Sequence, residues 1–219
     1  KLEKTDVYET SVFVGELALS GDVRPVNGVL SMALLARAKG MKKILVPEQN
    51  IAEAFLVDDL EVVGVKSLKE LVEHLKGIKV ITSTRPKEVQ SNNKKIFKYY
   101  MVNIRRQEHA KRALEIAAAG NHNILMSGPP GSGKTLLART VPSILPILSK
   151  EESLEITKIY SVSGLLADEK GLLSERPFRS PHHSSSAVAL IGGGTWPKPG
   201  EISLAHRGLL FLDEFSEFT

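Results

Sequence analysis

The chain has 219 residues and no cysteine. Disulfide bonds and thiolate metal sites are therefore excluded. The absence fits a reducing compartment, so we expect a cytoplasmic protein, although exported proteins can also lack cysteine. No run of apolar residues approaches the length that crosses a bilayer, and no membrane partner is expected. The first residues, Lys1 to Lys4, lead into no apolar stretch of the kind that marks a signal peptide.

The excess of positive charge is small. Lysine and arginine number 29 against 25 aspartate and glutamate, and a net charge of +4 does not by itself indicate a nucleic-acid partner. Between residues 85 and 112 the basic residues outnumber Glu88 and Glu108; they are Arg85, Lys87, Lys94, Lys95, Lys98, Arg105, Arg106, Lys111 and Arg112. A solvated linker is the favoured interpretation, and a patch that contacts phosphates is the alternative.

The first part of the chain alternates between predicted strands and helices, which is typical of an α/β fold. Strands are predicted over residues 11–19, 43–46 and 60–65, and a helix over 29–39. Ser67 and Glu70 form a capping box, because their side chains can satisfy free N–H groups of a first helical turn. The helix that they begin is expected to bury Leu68, Leu71, Val72 and Leu75.

A polar segment separates this part from the rest. Residues 83–100 are rich in lysine, serine and asparagine and are predicted to be a linker, so residues 1–82 and 101–219 form separate domains. In the second domain we predict helices over 107–119 and 150–161 and a third helix that begins at residue 136. A capping box of Ser149 and Glu152 precedes the helix over 150–161. Short buried strands are predicted over 123–127 and 209–212.

A phosphate-binding loop is the most specific motif. The pattern G-x-x-x-x-G-K-[ST] is matched in full by Gly128-Pro129-Pro130-Gly131-Ser132-Gly133-Lys134-Thr135. Glycines let the backbone turn its N–H groups inward and approach a polyphosphate closely. Lys134 can supply a positive charge to the β- and γ-phosphates, and the Thr135 hydroxyl can bind Mg²⁺. An ordinary glycine-rich turn is the alternative, disfavoured because an apolar segment precedes the loop and a helix follows it.

An acidic pair closes the predicted strand at Leu212. Alone this pattern is weak, since many buried strands end in an acidic residue. Behind a phosphate-binding loop it predicts that Asp213 positions Mg²⁺ and that Glu214 orients and deprotonates an attacking water. Two solvated carboxylates at a strand edge are the alternative.

Two other features are interpreted as structural. His182 and His183 are adjacent, and no carboxylate or cysteine lies at ligand spacing, so histidines in a hydrogen-bonded turn or at a subunit surface are favoured over a metal site. Trp196 is interpreted as a packing anchor rather than a platform for stacking bases.

A longer stretch carries a family resemblance. Residues 175–183 (ERPFRSPHH), 189–194 (ALIGGG) and 199–215 (PGEISLAHRGLLFLDEF) closely resemble the magnesium-chelatase-like AAA+ ATPases of bacteria, the ComM/YifB group. Residues 107–115 and 120–123 are also similar to that family. The family usually has glycine before Gln107, where this chain has Arg106.

The N-terminal part resembles the second half of the Lon protease fold, on residues 15–19, Gly21, 24–26 and 44–47. Lon-type peptidases carry a lysine in the helix that corresponds to residues 29–39. This chain has Met32 near that place and no lysine from 27 to 38, and the serine-bearing half is missing. We therefore expect a partial Lon-like domain with a structural or assembly role rather than a peptidase.

The resemblance implies a P-loop AAA+ core truncated after the second acidic strand. It implies ATP and Mg²⁺ as cofactors, with Lys134, Thr135, Asp213 and Glu214 in the roles given above. A homo-oligomeric ring, expected to be a hexamer, and DNA remodelling such as branch migration are implied for the full-length protein. The alternatives are the motor subunit of a porphyrin magnesium chelatase and a nucleotide-gated binding module with little turnover.

Overall fold

The computed structural model describes residues 9–83, 97–166 and 171–218. The chain divides into two compact units, one of Lys1–Gln90 with Thr157–Leu172 and the other of Ser91–Ile156 with Leu173–Thr219. Most of the linker predicted over 83–100 lies outside the described residues. The domain bounds expected from the sequence therefore stay a prediction.

A parallel three-stranded sheet forms the core of the first unit. Its strands are β1 (Ser11–Phe13), β4 (Lys43–Pro47) and β5 (Glu61–Val65), with β4 in the centre. Val12 lies opposite Ile44, which lies opposite Val62. The central strand is a continuous apolar run because a parallel strand is covered on both faces, and Ile44 and Val46 are fully buried.

The single strand predicted over 11–19 is wrong. The chain leaves β1 at Phe13, and β2 (Glu16–Leu17) pairs antiparallel with β3 (Val23–Arg24) in a separate ribbon. Gly15 lies between the two strands, where an added Cβ would come within 2.7 Å of Val23 Cγ1. The chain thus turns at a glycine that the Val23 side chain approaches closely, and the strand that the apolar pattern alone would continue ends there.

The helices of this unit are α1 (Val29–Ala38), the short α2 (Ile51–Ala54) and α3 (Leu68–Leu75). The predicted helices α1 and α3 are present, whereas α2 was not predicted. The Ser67 hydroxyl accepts from Glu70 N at 3.2 Å, as the capping box predicts, whereas the Glu70 carboxylate accepts from Lys66 N. Leu68 is 42% exposed, so its predicted burial is wrong. Leu71, Val72 and Leu75 are only partly buried, and of these Leu71 packs against the cluster of Leu45, Val63 and Val65.

Helices and short strand pairs make up the second unit. The helices are α4 (Glu108–Gly120), α5 (Lys134–Thr140), α6 (Lys150–Ser163), α7 (Ala187–Ile191) and α8 (Glu201–Leu204), and α6 continues into the residues of the first unit. Its buried core contains Met101, Leu114, Leu137 and Val141. The strand pairs are parallel β6 (Phe178–Arg179) with β9 (Leu209–Leu210), and antiparallel β7 (Gly192–Gly193) with β8 (Lys198–Pro199).

Two predictions in this unit are wrong. Residues 123–127 form no strand, and Leu125 is 86% exposed, since no strand in the described part of the chain pairs with this apolar segment. Trp196 is 85% exposed between β7 and β8 and anchors no packing, because the turn of the hairpin holds it away from the core. Across the three described ranges, no helix is long and apolar enough to cross a membrane.

Candidate functional site

The glycine motif forms an irregular loop that leads into α5. Gly131 and Gly133 have φ angles of +77° and +86°, a left-handed backbone that favours glycine. Gly133 is the residue that caps α5, whose first residues are Lys134 and Thr135. The sequence therefore places its glycines where the chain reverses direction, and the two functional side chains follow immediately.

Lys134 folds back over this loop. Its Nζ donates to the carbonyl oxygens of Gly128 at 2.8 Å and Pro129 at 3.1 Å, and lies 3.5 Å from Ser132 Oγ. The ammonium group is thus held at the mouth of the loop, beside the backbone that precedes the helix. From this place the ammonium group can give up its hydrogen bonds to the carbonyl oxygens and donate to the oxygens of a bound phosphate instead.

The second contact joins distant parts of the sequence. Thr135 Oγ1 donates to Asp213 Oδ2 at 2.8 Å, and Asp213 Oδ1 accepts from Glu214 N at 3.2 Å. A hydroxyl and a carboxylate side by side are the oxygen ligands that Mg²⁺ prefers. Within the described residues no group of three or more histidines and carboxylates is assembled for a metal. The pair thus offers two oxygen ligands to such an ion.

Strand pairing brings Asp213 to this place. Leu209 N and Phe211 N donate to the carbonyl oxygens of Pro177 and Arg179, each at 2.8 Å, and the rings of Phe178 and Phe211 stack at 6.3 Å. The regular strand is shorter than the predicted 209–212, but its hydrogen bonds continue through Phe211. The acidic residues follow directly on this paired segment.

Glu214 contacts a residue that the sequence did not assign to the site. Its Oε2 lies 2.9 Å from Nδ1 of His183. The neighbouring His182 lies in a hydrogen-bonded turn, in which Nδ1 is 3.2 Å from Ser184 N and 2.8 Å from Ser184 Oγ. Only the strand register could have indicated this contact. Arg179 lies opposite Leu210, and His183 and Glu214 each follow their strand residue by four positions.

The segment before α4 touches the loop. Gln107 Nε2 donates to Ser132 O at 3.2 Å. Arg106 and Gln107 have φ angles of +59° and +67°, so two consecutive residues other than glycine adopt the left-handed conformation. Arg106 occupies the position at which the ComM/YifB group usually has glycine, and its φ gives a physical reason for that preference.

An ion-pair cluster supports the strand that carries the acidic residues. Glu155 on α6 accepts from Arg207 Nε at 2.9 Å and lies 3.0 Å from His206 Nε2. The hydrogen bond from Arg207, followed by that from His206, lowers the pKa of Glu155 from 4.5 to about 2. The same pairing raises the pKa of Arg207. Sequence reasoning missed this cluster because its members are about fifty positions apart.

Comparison with known proteins identifies the family. Residues 100–219 match the model described as magnesium chelatase, subunit ChlI, and residues 1–50 match the model described as subunit ChlI of Mg-chelatase. The chain belongs to the magnesium chelatase subunit ChlI family. The resemblance inferred from the sequence motifs is therefore confirmed.

Several relatives within and beyond this family are similar along the chain. Competence protein ComM of Haemophilus influenzae is 45% identical over 210 residues, which are 94% of this chain and 40% of that protein. YifB of Escherichia coli is 43% identical over 215 residues, 98% of this chain and 41% of YifB. Lon protease 2 of Bacillus subtilis is 27% identical over 97 residues, 43% of this chain and 17% of that protease. The chain thus spans about two fifths of the length of the family members it matches.

The structure brings the predicted site residues together in two groups. Lys134 contacts the loop that contains it, and Thr135 contacts Asp213. Glu214 is adjacent to Asp213 but is held by His183. All of these residues lie inside the segment that matches the ChlI model. Their roles toward a nucleotide remain predictions.

Proposed function

We propose that this member of the ChlI family binds and hydrolyses ATP in the presence of Mg²⁺. The observation that supports this function best is the 2.8 Å hydrogen bond between Thr135 and Asp213. It joins the phosphate-binding loop to an acidic strand end that is 78 positions away in the sequence. A chance glycine-rich turn would have no reason to meet a carboxylate that follows a paired strand.

Each site residue has a defined task in this proposal. The backbone N–H groups of Gly128 and of residues 131–133 surround the phosphates, and Lys134 neutralises the charge of the β- and γ-phosphates. Thr135 and Asp213 would hold Mg²⁺, which supplies charge stabilisation to the phosphates when it is bound. Glu214 takes a proton from the attacking water and holds that water in line with the terminal phosphate.

The proposal includes a domain assignment. Residues 101–219 are assigned to an AAA+ P-loop core, 83–100 to a linker, and 1–82 to a Lon protease-like domain. The similarity to Lon protease 2 and the parallel sheet of the first unit support a Lon-like part. Because residues 27–38 contain no lysine, the domain lacks the lysine that a Ser/Lys peptidase needs and is assigned a structural or assembly role.

The work done with ATP is proposed to be DNA remodelling, such as branch migration, by a cytoplasmic homo-oligomeric ring, expected to be a hexamer. Two observations support DNA as the partner. A relative that is 45% identical carries the name competence protein ComM. The chain also concentrates basic residues between Arg85 and Arg112, which could contact a phosphate backbone.

Nucleotide binding by the intact protein tests the phosphate site. Lys134→Ala removes a charge-assisted contact of about 1.5–3 kcal/mol, which corresponds to roughly a 10- to 100-fold weaker affinity for ATP. Lys198→Ala is the matched control, because it removes an exposed lysine of the same unit from the β7–β8 hairpin. Equal affinity of Lys134→Ala and the unmodified protein would overturn the role of the loop.

The effect of DNA on the rate of ATP hydrolysis tests whether DNA is the partner. The intact protein is assayed with single-stranded, double-stranded and branched DNA over a range of salt concentrations. We expect stimulation that falls steeply as salt rises, because contacts to phosphates release counterions. A near-zero rate with and without DNA would instead indicate a nucleotide-gated binding module.

A second candidate is the motor subunit of a porphyrin magnesium chelatase. Membership of the magnesium chelatase subunit ChlI family favours it. Insertion of Mg²⁺ into a porphyrin, measured with partner chelatase subunits, separates the two functions. Stimulated insertion without any response to DNA would favour the chelatase.

A further inference from the structure

We propose that His183 is a positioning residue that orients the Glu214 carboxylate toward the attacking water. The inference rests on the proposed ATPase function and extends it to a residue outside both sequence motifs. Of the two adjacent histidines, only His183 has this role.

A short contact carries this inference. His183 Nδ1 and Glu214 Oε2 are 2.9 Å apart. Because a carboxylate accepts hydrogen bonds, the Nδ1–H group of the imidazole is the donor. A neutral imidazole with its hydrogen on Nδ1 can donate this bond, and an imidazolium can donate it as well.

The strand register explains why these two residues meet. Strands β6 and β9 are parallel, with Phe178 opposite Leu209 and Arg179 opposite Leu210. His183 follows Arg179 by the same number of positions as Glu214 follows Leu210. The alignment that begins in the paired strands therefore continues into the two loops, and it sets the histidine beside the glutamate.

The two ends of the contact differ in freedom. The His183 side chain is 33% exposed, and its ring lies 4.1 Å from that of His182, which is itself hydrogen-bonded to Ser184. The Glu214 side chain is 65% exposed and extends from a residue with a φ of +54°. The more restricted histidine is thus the group that can fix the direction of the freer carboxylate.

The two acidic residues have separate partners. Asp213 is held by Thr135, and Glu214 is held by His183. A general base is effective only when it is aligned with the proton that it accepts, and a hydrogen bond from a third group commonly provides that alignment. Loss of the bond should therefore slow the chemical step and leave nucleotide binding in place.

Steady-state turnover and equilibrium binding together test this assignment in the intact protein. For His183→Ala we expect kcat for ATP hydrolysis to fall about 10- to 100-fold, which is part of the 10²- to 10⁴-fold that a positioned general base contributes. The dissociation constant for ATP with Mg²⁺ should change less than about threefold, which is smaller than the tenfold change that a loss of about 1.4 kcal/mol in binding would produce. His183→Asn keeps an N–H donor close to the position of Nδ1 and should restore most of the rate.

Matched variants separate positioning from a general loss of structure. His182→Ala removes the neighbouring ring but keeps the contact with Glu214, so its loss of kcat should be smaller than that of His183→Ala. The proposal is overturned if His183→Ala keeps or raises kcat, if it loses nucleotide binding, if asparagine restores nothing, or if His182→Ala is equally slow. Failure of the ATPase assignment itself is distinguishable, because the unmodified protein would then show no turnover, or Lys134→Ala would bind ATP normally.

Discussion

Replacing Thr135 by valine removes one hydroxyl and nearly preserves the shape of the side chain. In the nucleotide-free protein, Asp213 then loses the donor that lies 2.8 Å from its Oδ2. Because Asp213 is half-buried, water can replace part of the lost bond, and we expect the free energy of unfolding to fall by about 1 kcal/mol. Thr135→Ser keeps the hydroxyl and serves as the matched control.

The larger effect is expected in the presence of Mg²⁺. Thr135→Val removes an oxygen ligand of the proposed metal site, so ATP with Mg²⁺ should bind at least about tenfold more weakly, equivalent to roughly 1.4 kcal/mol. Without Mg²⁺ the loop and Lys134 still contact the phosphates. Affinity measured in EDTA should therefore be nearly unchanged.

Titration of the intact protein with a fluorescent ATP analogue, in Mg²⁺ and in EDTA, measures both quantities. An equal loss of affinity in the two buffers would refute the argument, since it would show damage to the loop rather than to a metal ligand. Asp213→Asn completes a double-mutant cycle. If Thr135 and Asp213 act on one ion, the double variant should be weakened by less than the sum of the two single effects.

Two further predictions concern stability. Arg106→Gly should raise the free energy of unfolding by about 0.5–1 kcal/mol, because relief of a left-handed arginine outweighs the added freedom of glycine in the unfolded chain. Thermal denaturation measures the change in stability. Asn121→Gly is expected to gain less stability, and a lower melting temperature for Arg106→Gly would contradict the prediction. Glu155, whose pKa falls from 4.5 to about 2 on pairing with Arg207, stabilises the fold above pH 4.5 and loses that effect as pH falls toward 2. The difference in melting temperature between the unmodified protein and Glu155→Gln should shrink over this range, and a gap independent of pH would show that the carboxylate charge is irrelevant.

Local patterns predicted the longer helices and the left-handed glycine loop well, whereas the short helices α2, α7 and α8 were not predicted. The run of apolar residues at helical spacing matches α1, and the Ser67 and Ser149 boxes mark the starts of two helices. These features depend on residues a few positions apart, where the physical constraint is visible in the sequence. The glycine-rich loop belongs to the same class, because its three glycines and Lys134 lie within seven consecutive positions.

Features set by distant partners were harder to predict. The apolar segment at Leu125 has the composition of a strand, but composition does not say whether another backbone pairs with it. Likewise the break at Gly15 depends on Val23, and the partner of Glu214 depends on the register of β6 and β9. The proximity of Thr135 and Asp213 was expected from the combination of two motifs, and the structure places them in contact.

Arg176 ties together three stretches of the second unit. Its guanidinium donates to Pro146 O and Arg207 O, each at 2.7 Å, and to Glu152 Oε2 at 3.0 Å. Glu152 also caps the first turn of α6 through Ser149 N. The start of that helix, the lead into β6 and the lead into β9 are thus joined through one guanidinium, so we expect local opening of one of them to weaken the other two.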